Sequence, residues 1–258
     1  MEPTQLLLTA LSGGLVALLL TVFGGGGSVL AVPLLLYVVG VADPHTAIGI
    51  SAAGVALNGL TALAGQARAG RVRWPCAIMF AVIGAAASWV GSSVAKAIPG
   101  DALLLAFAVA MGLIGASMLK PKKDPGDPSV RLNRAMAPRL AGAATVVGSA
   151  AGFFGIGGGF LIVPGLMWAT GMTLAAAQAT SLLSVAAFGA STAVNYSLSG
   201  MVDWVAVAVM ALGGVVGTLV GLPISRLLAD YAALGRRLFA GLILLVAVYV
   251  AFKAITGG

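Results

Sequence analysis

Two glycine-rich runs could do chemistry without any charged side chain. Phe23-Gly-Gly-Gly-Gly-Ser-Val-Leu-Ala-Val-Pro33 and Phe154-Gly-Ile-Gly-Gly-Gly-Phe-Leu-Ile-Val-Pro164 share a pattern and lie 131 residues apart (164 − 33 = 131). Clustered glycines weaken a helix, and in an apolar region the backbone groups they free cannot be left facing lipid. A helix starting just after Gly27 or Gly159, inside the protein, would offer unpaired N–H groups and the positive end of its dipole where screening is weak, which suits an anion. Residues Gly24 to Gly27 and Gly157 to Gly159 are therefore binding candidates. Ser28 could cap the first helix and donate to a ligand, whereas Phe160 follows Gly159 in the second copy.

Hydroxyls supply the second signal. Ser51 and the pair Thr180-Ser181 occupy matching positions, and a neutral hydroxyl can donate to anionic oxygen, although it can equally bond its own backbone one turn back. Gln66 and Tyr196 each lie four residues before a repeated glycine (Gly70, Gly200) and join the candidates. Asn58, Gln178 and Asn195 are further polar residues in or near the ends of apolar segments, and for Asn58 an interhelical hydrogen bond is the better reading. His45, the single histidine, reads better as a loop residue than as a proton sensor. All seven acids (Glu2, Asp43, Asp101, Asp124, Asp127, Asp203, Asp230) fall in loops or at segment ends, so no carboxylate is placed for a buried proton or sodium relay.

The elements that must position these residues are membrane segments. The chain is 60% hydrophobic and 8% charged, far from the roughly one quarter charged of a soluble domain. Apolar stretches run at about 5–22, 28–42, 46–67, 75–95, 101–119, 140–153, 159–171, 174–199, 204–224 and 237–255. Those at 28–42 and 159–171, just after the glycine clusters, cover only roughly 20 Å and cannot cross unaided. Ala47-Ile-Gly-Ile-Ser51 matches Ala177-Gln-Ala-Thr-Ser181, and Gly70-Arg-Val-Arg-Trp74 matches Gly200-Met-Val-Asp-Trp204, so the repeat extends through each half with the offset falling to 130 (204 − 74 = 130). The polar run from Lys120 towards Arg139 reads as a flexible linker between the halves.

If ten segments alternate, one side holds Arg68, Arg71, Arg73, Lys120, Lys122, Lys123, Arg131, Arg134, Arg139, Arg226, Arg236 and Arg237, and the other only Lys96 and Lys253. Positive residues gather on the cytoplasmic side. Both termini are then outside, and because equivalent loops of the halves fall on opposite sides, the two repeats are inverted. Inverted repeats with glycine-interrupted helices in matching positions point to a secondary transporter with its site at the repeat interface.

Other classes fit poorly. The formal charge of +7 lies in loops between membrane segments, not on a basic face for nucleic acid. Cys76 is the only cysteine, which excludes an intramolecular disulfide and a paired-cysteine metal site. One histidine, one cysteine and peripheral acids supply neither a metal cluster nor a catalytic triad. Most remaining glycines, such as Gly84, Gly91, Gly213, Gly217 and Gly221, suit close helix packing. Trp74 and Trp204 suit interfacial anchoring.

The combination Phe-Gly-x-Gly-Gly-Gly-x-x-x-x-Pro, Ala-x-Gly/Ala-x-Ser and Gly-x-Val-x-Trp, once per half, resembles the TauE/SafE sulfite exporter family of membrane transporters. The resemblance implies a bacterial inner-membrane transporter of sulfite, thiosulfate, sulfoacetate or other small organosulfur anions. Carried over by position, it implicates Gly24, Gly26, Gly27, Pro33 and Ser51, and Gly155, Gly157, Gly158, Pro164 and Ser181. Where family members often carry histidine four residues before the motif glycine, this chain has Gln66 and Tyr196.

The expectation is an all-α polytopic membrane protein with two inverted repeats of about five hydrophobic segments each: 1–119, a cytoplasmic linker at 120–138, and 139–258. It would export a small sulfur-containing oxyanion, with an uptake transporter or anion-selective channel as alternatives. It is expected to be no enzyme and to need no cofactor or metal. Its partners would be the substrate anion and the lipid bilayer, not nucleic acid, with a homodimer left open.

Overall fold

The computed structural model describes residues 2–119, 126–127, 130–155, 159–227 and 232–256. Within them the protein is all-helical, and every apolar stretch read from the sequence forms a helix. α1 (Pro3–Phe23) runs into a 3-10 segment (Gly24–Leu30), the short α2 (Ala31–Leu34) and a π-helical turn (Leu35–Val39). α3 (Pro44–Arg68), α4 (Trp74–Ala95) and α5 (Gly100–Leu119) complete the first half. The second half comprises α6 (Ala137–Phe154), α7 (Gly159–Thr170), α8 (Leu174–Ser197), α9 (Trp204–Leu227) and α10 (Ala232–Thr256).

Among the described residues five helices are long and apolar enough to cross a membrane: Pro3–Phe23, Pro44–Arg68, Trp74–Ala95, Leu174–Ser197 and Trp204–Ser225. The stretches after the glycine clusters, Gly26–Val39 and Leu161–Thr170, are shorter, as their sequence length requires. Leu7, Leu11, Val82, Val146, Leu212, Val216 and Val248 are all exposed. So much exposed apolar surface would be a liability in water and is what a lipid-facing belt needs.

α3 and α8 form the buried centre. Gly59 of α3 lies against Leu182 and Ala186, while Gly189 of α8 lies against Ala52 and Ala56. As residue numbers rise on one helix they fall on the other, so the pair is antiparallel. A shift of 130 carries 52, 56 and 59 onto 182, 186 and 189, so each contact is the repeat of the other. Around this pair α1 packs on α9 and α4 on α6, two seams formed from exchanged halves. Gly91 sits on the Ser149 carbonyl and Gly221 near the Leu18 carbonyl, again equivalent positions (221 − 91 = 130; 149 − 18 = 131). Glycine at such contacts lets two backbones approach, which is how helices associate in lipid.

The repeated turn glycines have a conformational reason. Gly40, Gly171, Gly70 and Gly200 end their helices at φ of 82°, 70°, 68° and 72°, a left-handed geometry that L side chains rarely adopt.

Part of the connection between the halves is not free. The Asp127 amide donates to the Gly171 carbonyl at 2.9 Å, the Thr173 amide donates to the Asp127 carbonyl at 3.3 Å, and Val130 is buried. The expectation of a flexible linker is corrected for these residues: backbone pairing and an apolar anchor tie them to the α7–α8 corner.

Candidate functional site

The first glycine cluster folds differently from the simple helix start expected of it. Gly24 to Leu30 wind as a tighter 3-10 segment, and the α-helix begins only at Ala31, capped by no side chain. Gly27 is pressed against the α1 backbone at Leu19 and Leu20, where any Cβ would collide. The chain thus reverses at the cluster and returns along α1. Ser28 is fully buried inside the 3-10 segment, so the expected cap is absent, because the α-helix begins three residues later.

In the second half, Gly155 ends α6 in a left-handed conformation (φ 64°), and its missing Cβ leaves room for the Ile48 side chain of α3. α7 is described from Gly159 onward and packs against the 3-10 segment of the first half. The two broken segments therefore meet in the interior. Gly157 and Gly158 lie outside the described residues.

The predicted hydroxyls divide between the two ends of the α3–α8 pair. Contacts at 52–56 with 189 and at 59 with 182–186 put Ser181 level with about residue 62 of α3. Eleven residues of helix then separate it from Ser51, roughly 16 Å along the axis. They do not form one cluster. Ser51 and Tyr196 belong to the end marked by His45, and Thr180, Ser181 and Gln66 to the end marked by Arg73.

At the Arg73 end the hydroxyls are satisfied. Ser181 Oγ donates to the Gln178 carbonyl at 2.8 Å, and Thr180 Oγ1 accepts the Arg73 amide at 3.1 Å. Gln66 is buried, and its main-chain carbonyl accepts the Arg71 amide at 3.3 Å.

At the His45 end they are not. Ser51 Oγ and the Tyr196 hydroxyl are each fully buried and have no hydrogen-bond partner. A buried donor left unpaired costs about 1–3 kcal/mol, so its persistence asks for a reason. Tyr196 belongs to one buried cluster with Ile48, Val29 and Leu30, edged by Phe153 and Phe154. Ser51 follows Ile48 by one helical turn. Both residues therefore neighbour Ile48, whose side chain fills the space at Gly155.

His45 occupies the first turn of α3, a correction to its reading as a loop residue. Proline at the first helical position and Asp43 as N-cap start the helix there, which fixes His45 against its neighbours. Its Nε2 lies 3.1 Å from the Ile98 carbonyl, its ring stacks on Tyr196 at 6.2 Å between centroids, and Nδ1 is buried without a partner.

The sequence reading missed the role of Lys96. Its Nζ donates to the Asn195 carbonyl (3.1 Å), to Asn195 Oδ1 (2.7 Å) and to Ser199 Oγ (2.8 Å). Asn195 Nδ2 in turn donates to Ser92 Oγ at 2.6 Å and Ser93 Oγ at 2.8 Å, knitting α4 to α8. The isolation of a lysine on the sparsely charged side was the available signal. Asn58 behaves as expected of a packing residue, donating from Nδ2 to the Gly13 carbonyl at 3.5 Å, and Cys76 is a buried free thiol.

Two open cavities lie elsewhere. One of about 460 Å³ is lined by Gly126, Asp127, Arg131, Asn133 and Thr170 near the linker, and one of about 480 Å³ by Pro138, Val146, Gly165 and Trp168 on the outer surface. Neither is lined by Ser51 or Tyr196, both of which are fully buried. Among the described residues no group of histidine, cysteine and acids could hold a metal.

Paired helix breaks, a charge-free interior and a lipid-facing belt are the features of a membrane transporter, and the family model for the sulfite exporter TauE/SafE matches residues 9–250. The chain belongs to the TauE/SafE family. A probable membrane transporter protein of Xylella fastidiosa strain Temecula1 is 40% identical over 255 residues, covering 97% of this chain and 96% of that protein. The probable membrane transporter proteins YdhB and YunE of Bacillus subtilis strain 168 are 26% and 28% identical, each match covering 80% of this chain and 83% of the relative. No solved structure matches. TauE/SafE membership and the long apolar helices make this a multi-pass membrane protein of a transporter family.

Proposed function

We propose that this TauE/SafE protein exports a small sulfur-containing oxyanion, sulfite or an organosulfonate, across the bacterial inner membrane. The observation that carries the reading is the pair of buried, unpartnered hydroxyls of Ser51 and Tyr196, residues that neighbour Ile48. Such donors suit an anion that reaches them when the protein opens. The glycine-cluster amides would hold the charge, with Ser28, Thr180, Ser181 and Gln66 serving the other half-site as it forms. Cytoplasmic arginines would raise the local anion concentration.

The halves are inverted in this reading, with both termini outside the cytoplasm. Two independent features support it: the twelve-to-two division of Lys and Arg, and the antiparallel, mutually repeating contacts of α3 with α8. Alternating access follows if each half-site opens to its own side in turn. Export of a net negative species needs no coupling ion, since an inside-negative potential drives each charge outward by about 2.3 kcal/mol per 100 mV.

The test is flux in proteoliposomes holding the purified protein. Labelled sulfite or methanesulfonate should leave protein-containing vesicles with a rate that saturates with concentration. No flux of either anion above empty vesicles would overturn the proposal, and a rate that never saturates would favour a channel.

A further inference from the structure

We infer that Lys96 is a substrate-binding residue of the half-site at the His45 end, where its ammonium holds the charge of the oxyanion and its removal weakens dianions more than monoanions. This rests on the transporter reading above and adds to it the residue that answers the ligand's charge. If ten segments alternate, Lys96 and Lys253 alone stand opposite twelve Lys and Arg, so Lys96 runs counter to the rule that places the others. Membrane orientation does not explain it. Arg226 stands at the equivalent position of the second half (226 − 96 = 130), so each repeat keeps a cation at the same step after its Trp (96 − 74 = 22; 226 − 204 = 22).

Lys96 Nζ lies 5.9 Å from the centroid of the Tyr196 ring, inside the screening length of about 8 Å at physiological ionic strength. Its charge therefore acts on whatever the Tyr196 hydroxyl binds. That hydroxyl is fully buried and unpartnered, as is Ser51 Oγ one turn beyond Ile48 of the same cluster. Lys96 is itself half-buried, and its hydrogen-bond partners among the described residues, the Asn195 carbonyl, Asn195 Oδ1 and Ser199 Oγ, are all neutral. Its positive charge is not cancelled by them. Asp43, the carboxylate at the start of α3, commits its oxygens to the Thr46 hydroxyl and the amides of Thr46 and His45. His45, stacked on the same ring at 6.2 Å and held at the Ile98 carbonyl, keeps the phenol in place. An oxyanion beside Tyr196 thus finds two neutral donors and one uncompensated ammonium. Because a hydrogen bond between two charged groups is roughly twice as strong as one between neutral groups, a ligand oxygen can replace Ser199 Oγ on Lys96 with a net gain.

Two sulfonates of similar size separate a charge contact from a structural tie. Coulomb energy scales with the product of the charges, so losing one positive charge costs a dianion about twice what it costs a monoanion, which squares the fold-change. The test is equilibrium binding of labelled sulfoacetate, doubly charged at neutral pH, and of labelled 2-hydroxyethanesulfonate, singly charged, to the purified protein in detergent. Lys96→Met should raise the Kd of sulfoacetate about tenfold and that of 2-hydroxyethanesulfonate about threefold, while Lys96→Arg should hold both within about twofold of the wild type. Ser199→Ala, which removes a bond to Lys96 but keeps the charge, should leave the ratio of the two constants unchanged. Equal weakening of both anions by Lys96→Met, or none, would reduce Lys96 to a tie between α4 and α8 and overturn the inference, as would binding of neither anion to the wild type. A second measurement needs no variant: saturating sulfoacetate should slow acetylation of Lys96 several-fold in the wild-type protein, read by mass spectrometry with Lys253 as the unaffected control. Unprotected Lys96 overturns the inference even where flux proceeds, whereas absence of flux in the proteoliposome assay overturns the transporter reading.

Discussion

The His45 end and the Arg73 end of the α3–α8 pair are copies of one backbone arrangement with different side-chain chemistry. Ser51 corresponds to Ser181, Tyr196 to Gln66, Asp43 to Thr173 and Asn58 to Phe188, each at a spacing of 130. Ser181 donates to its own helix, while Ser51 donates to nothing. Phe188 stacks on Phe80 at 6.0 Å and fills the gap at Gly84, while Asn58 occupies the equivalent gap at Gly214 with its Oδ1 unpartnered. Duplication kept the close helix contacts and left the side chains free to diverge. Among the described residues unpartnered buried groups remain on both sides, Ser51 Oγ, the Tyr196 hydroxyl and His45 Nδ1 towards the His45 end and Asn58 Oδ1 and Ser184 Oγ towards the Arg73 end, but the equivalent serines Ser51 and Ser181 differ as described.

The largest expected effect comes from emptying the two equivalent positions in turn. Tyr196 is fully buried among apolar neighbours, so Tyr196→Ala should leave a cavity costing about 3–5 kcal/mol. Gln66→Ala should cost about 1 kcal/mol, because its side chain is smaller and lies near a helix end. Thermal denaturation of both variants in detergent checks this, and equal losses would erase the difference between the ends.

Next in size is the serine pair. Ser51→Ala removes an orphaned donor, so it should leave stability unchanged or raise it by up to about 1 kcal/mol while transport falls about tenfold. Ser181→Ala breaks a local bond and should change transport less than about twofold. Flux and melting temperature measured together decide it: a Ser51→Ala variant that loses stability would show that its hydroxyl has a structural partner. Smaller again is Lys96→Met. Loss of the three bonds to Asn195 and Ser199 should cost about 1–2 kcal/mol and loosen the His45 end alone, visible as faster amide exchange at the C-terminal turn of α8.

Much of this division was written in the sequence, and some could not be. Helices, their number and the short stretches after the glycines follow from hydropathy and length, because lipid leaves a buried backbone few options. The packing of Gly91, Gly213, Gly217 and Gly221 was legible as well, since small residues on membrane helices serve few other purposes. What periodicity could not reveal was which hydroxyl bonds its own backbone. Ser51 and Ser181 sit in similar contexts, and the choice depends on neighbours brought from the other half. Nor could it show that Gly24 to Leu30 wind as a 3-10 segment, because glycine permits several geometries and only contact with α1 selects one. Thr180 illustrates the same limit: its partner, the Arg73 amide, lies 107 residues away.

The smallest expected effect tests the comparison at the helix caps. Asp43 caps α3 and Thr173 caps α8 at the equivalent position, so one cap titrates and the other does not. Partial burial pushes the Asp43 carboxyl upward. The Thr46 hydroxyl at 2.6 Å and the amides of Thr46 and His45 outweigh it, holding the group below its ordinary range. A depressed folded-state value means the cap contributes fully above the unfolded pKa and loses that contribution as pH falls through the folded one. Melting temperature should therefore decline on acidification below about pH 4, by an increment that Asp43→Asn removes and Thr173→Asn leaves in place. Because Asp43 is largely exposed, the increment should be small. It should also be confined to the His45 end, read as amide exchange in the first turn of α3 but not in that of α8. Equal acid sensitivity in both first turns would mean that the two ends melt as one unit, and that their difference in side-chain chemistry does not reach their stability.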